Sequence, residues 1–200
     1  MSNPNQVITT LRDRRSVSQP RLGGSVIPDH QVVREALESA RWAPNHKHTE
    51  PWRFYLLDDE RIVRLAELNA ELLERDGAKP EKVAAKLEQW RAVPGVVVFS
   101  VKSAADADET TRREDYAAVA CAAQNFMLHL WSAGVASKWS TAAVWRHEEF
   151  WSLLGHDPAA LAGEGPGEEV LGTFFYGLAA DVPAGRRRLG LEEVLRDFRR

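Results

Sequence analysis

The sequence predicts one layered αβ domain, with roughly three or four strands among five or six helices. Two continuous apolar runs, Gly95–Val101 and Val170–Leu178, are typical of strands that are covered on both faces. The long and largely apolar segment from Glu109 to Ala133 lies between them and predicts a central helix. No linker, internal repeat or low-complexity tract divides the chain, so we interpret residues 1–200 as a single domain.

The first half of the chain predicts four helices and one strand. A short helix is expected over Asn5–Arg15. Asp29 can cap the next helix, which should end before Pro44 because the residue preceding a proline disfavours helical backbone. The sequence at Arg53–Leu57 predicts a short strand. Two further helices are expected from Asp58 or Asp59 to about Gly77 and from Pro80 through Trp90.

The second half continues with shorter elements around the two apolar runs. A strand is predicted at Val135–Ser140, and a helix at His147–Leu154. A loop is expected at Gly163–Gly167, and the tail should end with a short helix over Leu191–Phe198. Together with the central helix, these elements complete the layered arrangement.

Composition and charge restrict the class of protein. Hydrophobic residues make up 44% and charged residues 28% of the chain, which is ordinary for a globular protein. The net charge of −3 provides no general basic field, which argues against a nucleic-acid-binding protein. The single cysteine cannot form an internal disulfide, and Met1–Arg15 lacks the apolar stretch of a signal peptide. These features predict a cytoplasmic protein.

One segment, Tyr116–Ala136, has some of the character of a membrane span. It carries Gln124, Asn125 and His129 in its middle, and each of these polar side chains would be costly in hydrocarbon. A helix buried in the core of a globular protein explains the segment better.

Several familiar catalytic and binding motifs are absent from the sequence. It contains no Gly-x-Gly-x-x-Gly after a strand, no Walker loop, no His-Glu-x-x-His and no Cys-x-x-Cys. His46 and His48 could ligate a metal, but no cysteine or carboxylate cluster completes such a site. Cys121 and His129 lie two turns apart in an apolar helix, so Cys121 is interpreted as a small core residue rather than a nucleophile.

Three polar features remain as candidates for function. Arg14-Arg15-Ser16 ends the first helix, and Arg186-Arg187-Arg188 precedes the last one. Guanidinium groups bind phosphate with bidentate geometry, although either cluster alone is more typical of solvated surface charge. The third feature, Ala43–Phe54, is a polar segment that prolines stiffen, which suits a planar ligand but also an ordinary loop. The two arginine clusters together could form the two sides of one phosphate clamp.

These features occur in an order that resembles the nitroreductase family of FMN-dependent flavoproteins. Arg-Arg-Ser is followed about thirty residues later by Ala-Pro-Asn-His-Lys-x-x-x-Pro-Trp-x-Phe, and then by Gly-Val-x-x-Lys-Trp-Ser-Thr. A strand ending in Tyr176-Gly177 and an arginine-rich stretch leading into Leu-Glu-Glu-Val-Leu complete the pattern. The resemblance spans about Leu11 to Leu195, and the middle motif is most similar to a compact branch of the family.

The resemblance implies an α+β fold with a mixed, largely antiparallel sheet between helices. It also implies an intertwined homodimer with two FMN sites at its interface. The residues that it places at the cofactor fall into three groups. They are Arg14, Arg15, Ser16, Arg187 and Arg188 at the phosphate; Pro44, Asn45, His46 and His48 from the second subunit; and Lys138, Trp139, Ser140 and Thr141 behind the isoalloxazine ring.

The resemblance implies hydride transfer from NAD(P)H to flavin N5 and then to a nitroaromatic, quinone or related acceptor, with ping-pong kinetics. The flavin carries the chemistry, so no catalytic side chain is predicted. Lys138 is the candidate for stabilising negative charge at the N1–C2=O edge. Two alternatives remain: a flavoprotein of the same fold with a specialised role (dehydrogenase, flavin-consuming enzyme or flavin-holding partner), and an anion- or nucleic-acid-binding module built on the arginine clusters.

Three positions depart from the family pattern. Ser18 stands where many relatives carry a basic residue, Glu50 replaces a frequent glutamine, and Trp42 stands where the compact branch has arginine. These differences concern flavin potential and substrate more than FMN binding itself. Trp145 is a further aromatic residue near the ring motif, and core packing is its favoured use.

Overall fold

The computed structural model describes residues 4–23, 27–157 and 167–199. In this part of the chain seven α-helices and four strands are present, joined by short 3₁₀ turns. The helices are α1 (Pro4–Asp13), α2 (His30–Ala40), α3 (Asp59–Arg75), α4 (Pro80–Arg91), α5 (Glu109–Ser132), α6 (Phe150–Leu153) and α7 (Leu191–Val194). The strands are β1 (Trp52–Leu56), β2 (Gly95–Val101), β3 (Ala136–Ser140) and β4 (Glu169–Gly177).

The four strands form one sheet in the order β1-β2-β4-β3, and each neighbouring pair is antiparallel. The two apolar runs of the sequence, β2 and β4, are the central strands. Every residue of β2 is buried, as expected for a strand covered on both faces. The prediction of a largely antiparallel sheet in an α+β fold is therefore confirmed.

Helices cover both faces of this sheet and divide the core in two. Alternate residues of β2 point to opposite faces, so Val97 and Phe99 pack with α2 and α5, whereas Val96 and Val98 pack with α3 and α4. On the first face the rings of Phe99, Phe126 and Phe174 contact one another, with centroids 4.6–6.0 Å apart. The predicted layered architecture follows from this alternation.

The helix starts follow the capping residues of the sequence. The Asp29 carboxylate accepts a hydrogen bond from the backbone N–H of Gln31, and Asp58 accepts one from Arg61. These side chains satisfy donors that the first turn of a helix leaves free. The predicted boundaries of α2 and α3 are confirmed for this reason.

Two of the predicted helices are shorter than expected. Over His147–Leu154 only α6 is helical, and a separate 3₁₀ turn precedes it at Ala143–Arg146. The tail helix ends at Val194 instead of Phe198. Its apolar side chains are largely exposed within the described residues, as Leu191 is 69% and Phe198 is 90% exposed, and short helices without packing are marginal. Most of the loop expected at Gly163–Gly167 lies outside the described residues.

The central helix α5 is only partly enclosed. One face, with Phe126 and Leu130, is fully buried, whereas Tyr116 is 40% exposed and Cys121 is also exposed. The prediction that Cys121 is a core residue is therefore wrong within a single chain, because it lies on the open face of the helix. None of the helices in the described ranges is long and apolar enough to cross a membrane.

Candidate functional site

The segment that follows α1 crosses the end of the sheet beside β3 and β4. The Val17 N–H donates to the Ser137 carbonyl at 3.1 Å, and Gly23 N–H donates to the Leu178 carbonyl at 3.2 Å. These bonds fix the chain on either side of Gln19, and they leave Arg14 and Arg15 just outside the sheet. The stretch after β4, which carries the C-terminal arginines, starts at the same place.

Arg15 and the C-terminal stretch are in direct contact. The Arg15 guanidinium lies so close to Gly185 that a Cβ at this position would collide with it. Two backbone carbonyls hold this guanidinium in place, since Arg15 Nη1 donates to the oxygens of Arg12 at 2.5 Å and Arg14 at 2.9 Å. The contact brings the Arg15 guanidinium next to the stretch that carries the C-terminal arginines.

Arg14 carries the clearest sign that an anion belongs here. Its Nη1 atom is buried and has no hydrogen-bond partner within the described residues. Burial lowers the pKa of Arg14, and the positive charges of Arg15 and Arg187 lower it further. A buried, unpaired cation among like charges is unfavourable unless a counter-ion is bound. We name Arg14, Arg15 and Arg187 the arginine cluster; its donor set fits a phosphate group.

A second concave surface includes Gln19, which follows the first two arginines of the cluster in the sequence. This cavity of about 270 Å³ is walled by α3, α4 and the end of β3. Its polar lining consists of Gln19, Asn69, Lys82, Lys86, Lys138 and Ser140, with Trp90 beside them. We name it the lysine cavity.

Lys138 lies in the lysine cavity with its amino group held by the segment after α1. Its Nζ donates to Gln19 Oε1 at 3.2 Å. Burial lowers the pKa of Lys138, and the positive charge of Lys86 lowers it further. A desolvated cation in a cavity is suited to meet developing negative charge on a bound ring.

The residues of β3 that were predicted to back the ring divide between the two faces of the sheet. Lys138 and Ser140 line the lysine cavity, whereas the Trp139 side chain lies on the other face. Trp139 Nε1 donates to the Leu171 carbonyl at 3.2 Å, and its ring packs on Phe174. The indole therefore does not line this cavity in a single chain. Thr141 is exposed at the end of the strand.

Trp145 is held in the second core, as its favoured interpretation predicts. Its Nε1 donates to Thr173 Oγ1 at 3.0 Å, and its ring packs in the core formed by α3 and α4. A buried hydroxyl partner of this kind satisfies the indole N–H inside an apolar environment.

The loop between α2 and β1 is held by its own polar side chains and by the start of α5. Asn45 accepts from the Glu50 N–H at 2.8 Å and donates to Thr49 Oγ1 at 2.9 Å. His46 Nδ1 lies 2.8 Å from Glu114 Oε2. Lys47, His48 and Glu50 all have positive φ, at 57°, 52° and 44°. Such strained backbone is concentrated at functional sites.

This loop and the arginine cluster lie at opposite ends of the same helix. The loop contacts Glu114 and Asp115 in the first turns of α5, whereas Ser137, beside Val17, follows its last turn. From Glu114 to Ser132 the helix rises by about 27 Å. Within one chain, Asn45 and His46 therefore cannot contact a ligand that the arginine cluster holds.

Sequence reasoning missed Gln19, Asn69, Lys82 and Lys86. Asn69 had a signal, because it falls on the buried face of α3, where Leu65 and Leu72 indicate an apolar stripe. The two lysines of α4 had none, since exposed lysines on a helix are common. Within the described residues, no group of three His, Cys, Asp or Glu side chains could hold a metal ion.

A four-stranded antiparallel sheet between helices, with an arginine cluster at its end, defines an α+β protein whose clustered donors fit a phosphate group. The chain belongs to the nitroreductase family, whose model matches residues 11–160. A protein of Bacillus subtilis (strain 168) named "Putative NAD(P)H nitroreductase YfhC" is 30% identical over 150 residues, which cover 72% of this chain and 74% of that protein.

Solved structures share the fold over almost the whole chain. The nitroreductase-like family protein from Bacillus cereus superposes with a TM-score of 0.76 at 24% identity, covering 99% of this chain and 98% of that one. The FMN-dependent nitroreductase NfnB from Mycobacterium smegmatis, solved in complex with NADPH, superposes with a TM-score of 0.73 at 18% identity, covering 98% and 99% of the two chains.

Proposed function

We propose that this protein is an FMN-dependent oxidoreductase that uses NAD(P)H to reduce nitroaromatic, quinone or related electron-poor acceptors. The observation that carries the proposal is the buried, unpaired Nη1 of Arg14 inside the arginine cluster. Membership of the nitroreductase family supports FMN as the phosphorylated ligand. The relatives named for NAD(P)H and for FMN support the same cofactor pair.

Each group of residues has a separate part in this proposal. Arg14, Arg15 and Arg187 hold the phosphate, with Ser16 and Arg188 beside them. Lys138 stabilises negative charge at the N1–C2=O edge of the ring, because it is a partly desolvated cation that faces a cavity. When bound, FMN would supply the hydride chemistry at its N5 atom. The side chains bind, orient and neutralise charge, and no catalytic acid or base is assigned to them.

We further propose that the working form is an intertwined homodimer. The loop with Pro44, Asn45, His46 and His48 lies too far from the arginine cluster to share its ligand, so a second copy would supply this loop. Among the described residues, apolar side chains are exposed on the surfaces that a second copy would cover. They are Val7, Ile8 and Leu11 on α1, and Leu189, Leu191, Val194, Leu195 and Phe198 in the tail.

Two grooves are available for the second copy. One, of about 230 Å³, lies between α1 and the end of α5. The other, of about 330 Å³, lies over the free edge of β1, beside Leu37 and Phe54. An edge strand with open hydrogen-bonding groups is a natural site for the extended tail of a partner.

The test is the flavin content of the purified protein and of the double variant Arg187→Ala/Arg188→Ala. We expect a yellow wild-type protein whose flavin is reduced by NADH or NADPH and reoxidised by a nitroaromatic or quinone. The double variant should keep the far-UV circular dichroism of the wild type and lose most of its FMN, because the phosphate loses charged donors.

Three results would count against different parts of the proposal. A wild-type protein that stays colourless in excess FMN would contradict the cofactor assignment. A yellow protein whose flavin is never reduced by NADH or NADPH would instead favour the specialised flavoprotein role within the same fold. Retention of full FMN content by the double variant would remove the C-terminal arginines from the phosphate site.

A further inference from the structure

The amino groups in the lysine cavity have no acidic partners. In the described part of the chain, Lys102 is the lysine that pairs with a carboxylate, and no carboxylate oxygen lies within 4.0 Å of Lys82, Lys86 or Lys138. The chain as a whole carries 29 acidic and 26 basic residues. The cavity is therefore positively charged although the net charge of the chain is negative. A concave surface of one sign attracts ligands of the opposite sign.

The three lysines occupy different positions in this cavity. Lys138 projects from β3, is half-buried and is bound by Gln19. Lys82 and Lys86 are four residues apart on α4, which places them on the same face of the helix. Lys82 is exposed, and Lys86 is half-buried with its Nζ donating to Gln89 Oε1 at 3.1 Å. Lys82 therefore lies on the solvent side of the cavity, whereas Lys86 and Lys138 are both half-buried in it.

The proposed function gives a role to Lys138 alone. A single cation suffices for the negative charge of one ring edge, and Lys138 is a half-buried cation held by Gln19. Lys82 and Lys86 remain as two further positive charges on the α4 wall of the cavity. A lysine ammonium is a mobile point charge, so it tolerates carboxylate and phosphate groups alike.

We propose that Lys82 and Lys86 bind an anionic group, a carboxylate or a phosphate, on the substrate that enters the lysine cavity. This inference rests on the proposed function, because it takes the cavity as the place where the substrate meets the flavin. The anionic group has two possible sources: a carboxylate on the electron acceptor, or an added phosphate on the pyridine nucleotide. Acceptors or nucleotides that carry such a group are the preferred substrates.

The experiment measures binding of unreactive probes to the FMN-loaded protein by calorimetry. Benzoate is compared with benzamide for the acceptor, and adenosine 2′,5′-bisphosphate with adenosine 5′-phosphate for the nucleotide. The variants are Lys82→Gln and Lys86→Gln, with Lys79→Gln as the matched control, because Lys79 lies at the start of α4 outside the cavity lining. Neither probe pair undergoes hydride transfer, so the readout is independent of turnover.

We expect each cavity variant to weaken binding of the more anionic probe of one pair by roughly five- to tenfold, as for loss of a charge-assisted hydrogen bond. The less charged probe and the Lys79→Gln control should be unaffected. The pair that responds identifies the source of the anionic group. Equal weakening of both probes, or a wild-type protein that prefers neither anionic probe, would overturn the inference.

The FMN content of the same samples separates this inference from the proposed function. Loss of FMN from Lys82→Gln and Lys86→Gln would assign these lysines to the cofactor and overturn their role in substrate binding. A wild-type protein that takes up no FMN would contradict the proposed function itself. A yellow wild type whose variants bind the anionic probes unchanged would contradict the lysine assignment alone.

Discussion

At the scale of single residues, the arginine cluster is preorganised for an anion. Burying like charges together in this way costs stability. Arg14 has a buried donor without a partner, and its neighbours carry the same charge. Backbone carbonyls hold Arg15, so its guanidinium cannot swing freely into solvent. Gly185 completes this arrangement, since the absence of a side chain lets the C-terminal stretch approach the guanidinium. Preorganised donors of this kind reduce the entropy that binding would otherwise cost.

Gly185→Ala should weaken FMN binding by roughly tenfold while leaving the fold intact, because the new methyl group displaces the Arg15 guanidinium from the phosphate. The dissociation constant can be measured by titrating FMN fluorescence. Gly190→Ala is the matched control, because a Cβ there meets only Glu193 Oε2, at 3.4 Å. An unchanged dissociation constant for Gly185→Ala would show that this close contact has no part in cofactor binding.

At the scale of elements, ion pairs join α3 to the segment that follows β3. Arg64 donates to Glu149 at 2.9 Å, and Arg75 pairs with Glu148 at 3.1 Å. The α3 helix also carries Asn69, which lines the lysine cavity. The two pairs therefore link one wall of the cavity to the segment that leads away from β3, whereas each exposed pair alone would contribute little.

The Arg75–Glu148 pair predicts a difference in acid stability between wild type and Glu148→Gln. Hydrogen bonds from Arg75 lower the pKa of Glu148 from 4.5 to about 2. A depressed folded-state pKa stabilises the protein above the unfolded pKa, and the contribution is lost as the pH falls from about 4.5 through about 2. Wild type should therefore have the higher Tm at pH 6, and the gap should close towards pH 2.

Thermal melts followed by circular dichroism between pH 6 and pH 2 measure this gap. Glu74→Gln is the control, because it removes a carboxylate from the same region of the surface but has no ion pair within 4.0 Å in the described part of the chain. A gap between wild type and Glu148→Gln that stays constant over the whole pH range would contradict the assignment of the titration to Glu148.

At the scale of the whole molecule, the chain presents two half-sites that it cannot bring together by itself. The arginine cluster and the loop around His46 lie at opposite ends of α5, and the tail leaves its apolar side chains exposed. An intertwined dimer would solve both problems, because the tail of one copy would be covered by the other, and each ligand would contact both copies. The open face of α5 with Tyr116 and Cys121 is then available as an interface.

Removal of residues 189–200 should convert the protein from a dimer to a monomer, because it deletes the five exposed apolar side chains of the tail. Analytical ultracentrifugation measures the change, and the retained Arg187 and Arg188 keep the phosphate donors in place. Val63→Asp serves as the control, since Val63 is an exposed apolar residue on α3 and should leave the dimer intact. A truncated protein that sediments like wild type would exclude the tail from the interface.

The elements of the fold could largely be predicted because their signals are local. Continuous apolar runs identified the central strands β2 and β4, and capping aspartates identified the starts of α2 and α3. The failures have a common cause. The tail helix was expected from a pattern that needs a surface to pack on, and Cys121 was placed in the core because its helix is apolar on nearly all sides. Neither pattern shows which face of the helix is covered by another element.

The sequence by itself determined the layered αβ class, the order of the motifs and the two arginine clusters, because residue type and spacing act over a few neighbours along the chain. Only the tertiary structure decided which residues meet in space. It joined Arg14 and Arg15 to Gly185 and Arg187, opened the lysine cavity between α3, α4 and β3, and turned Trp139 to the opposite face. It also separated the loop around His46 from the arginine cluster by most of the length of α5. These contacts join residues that are distant in the chain, and packing determines them.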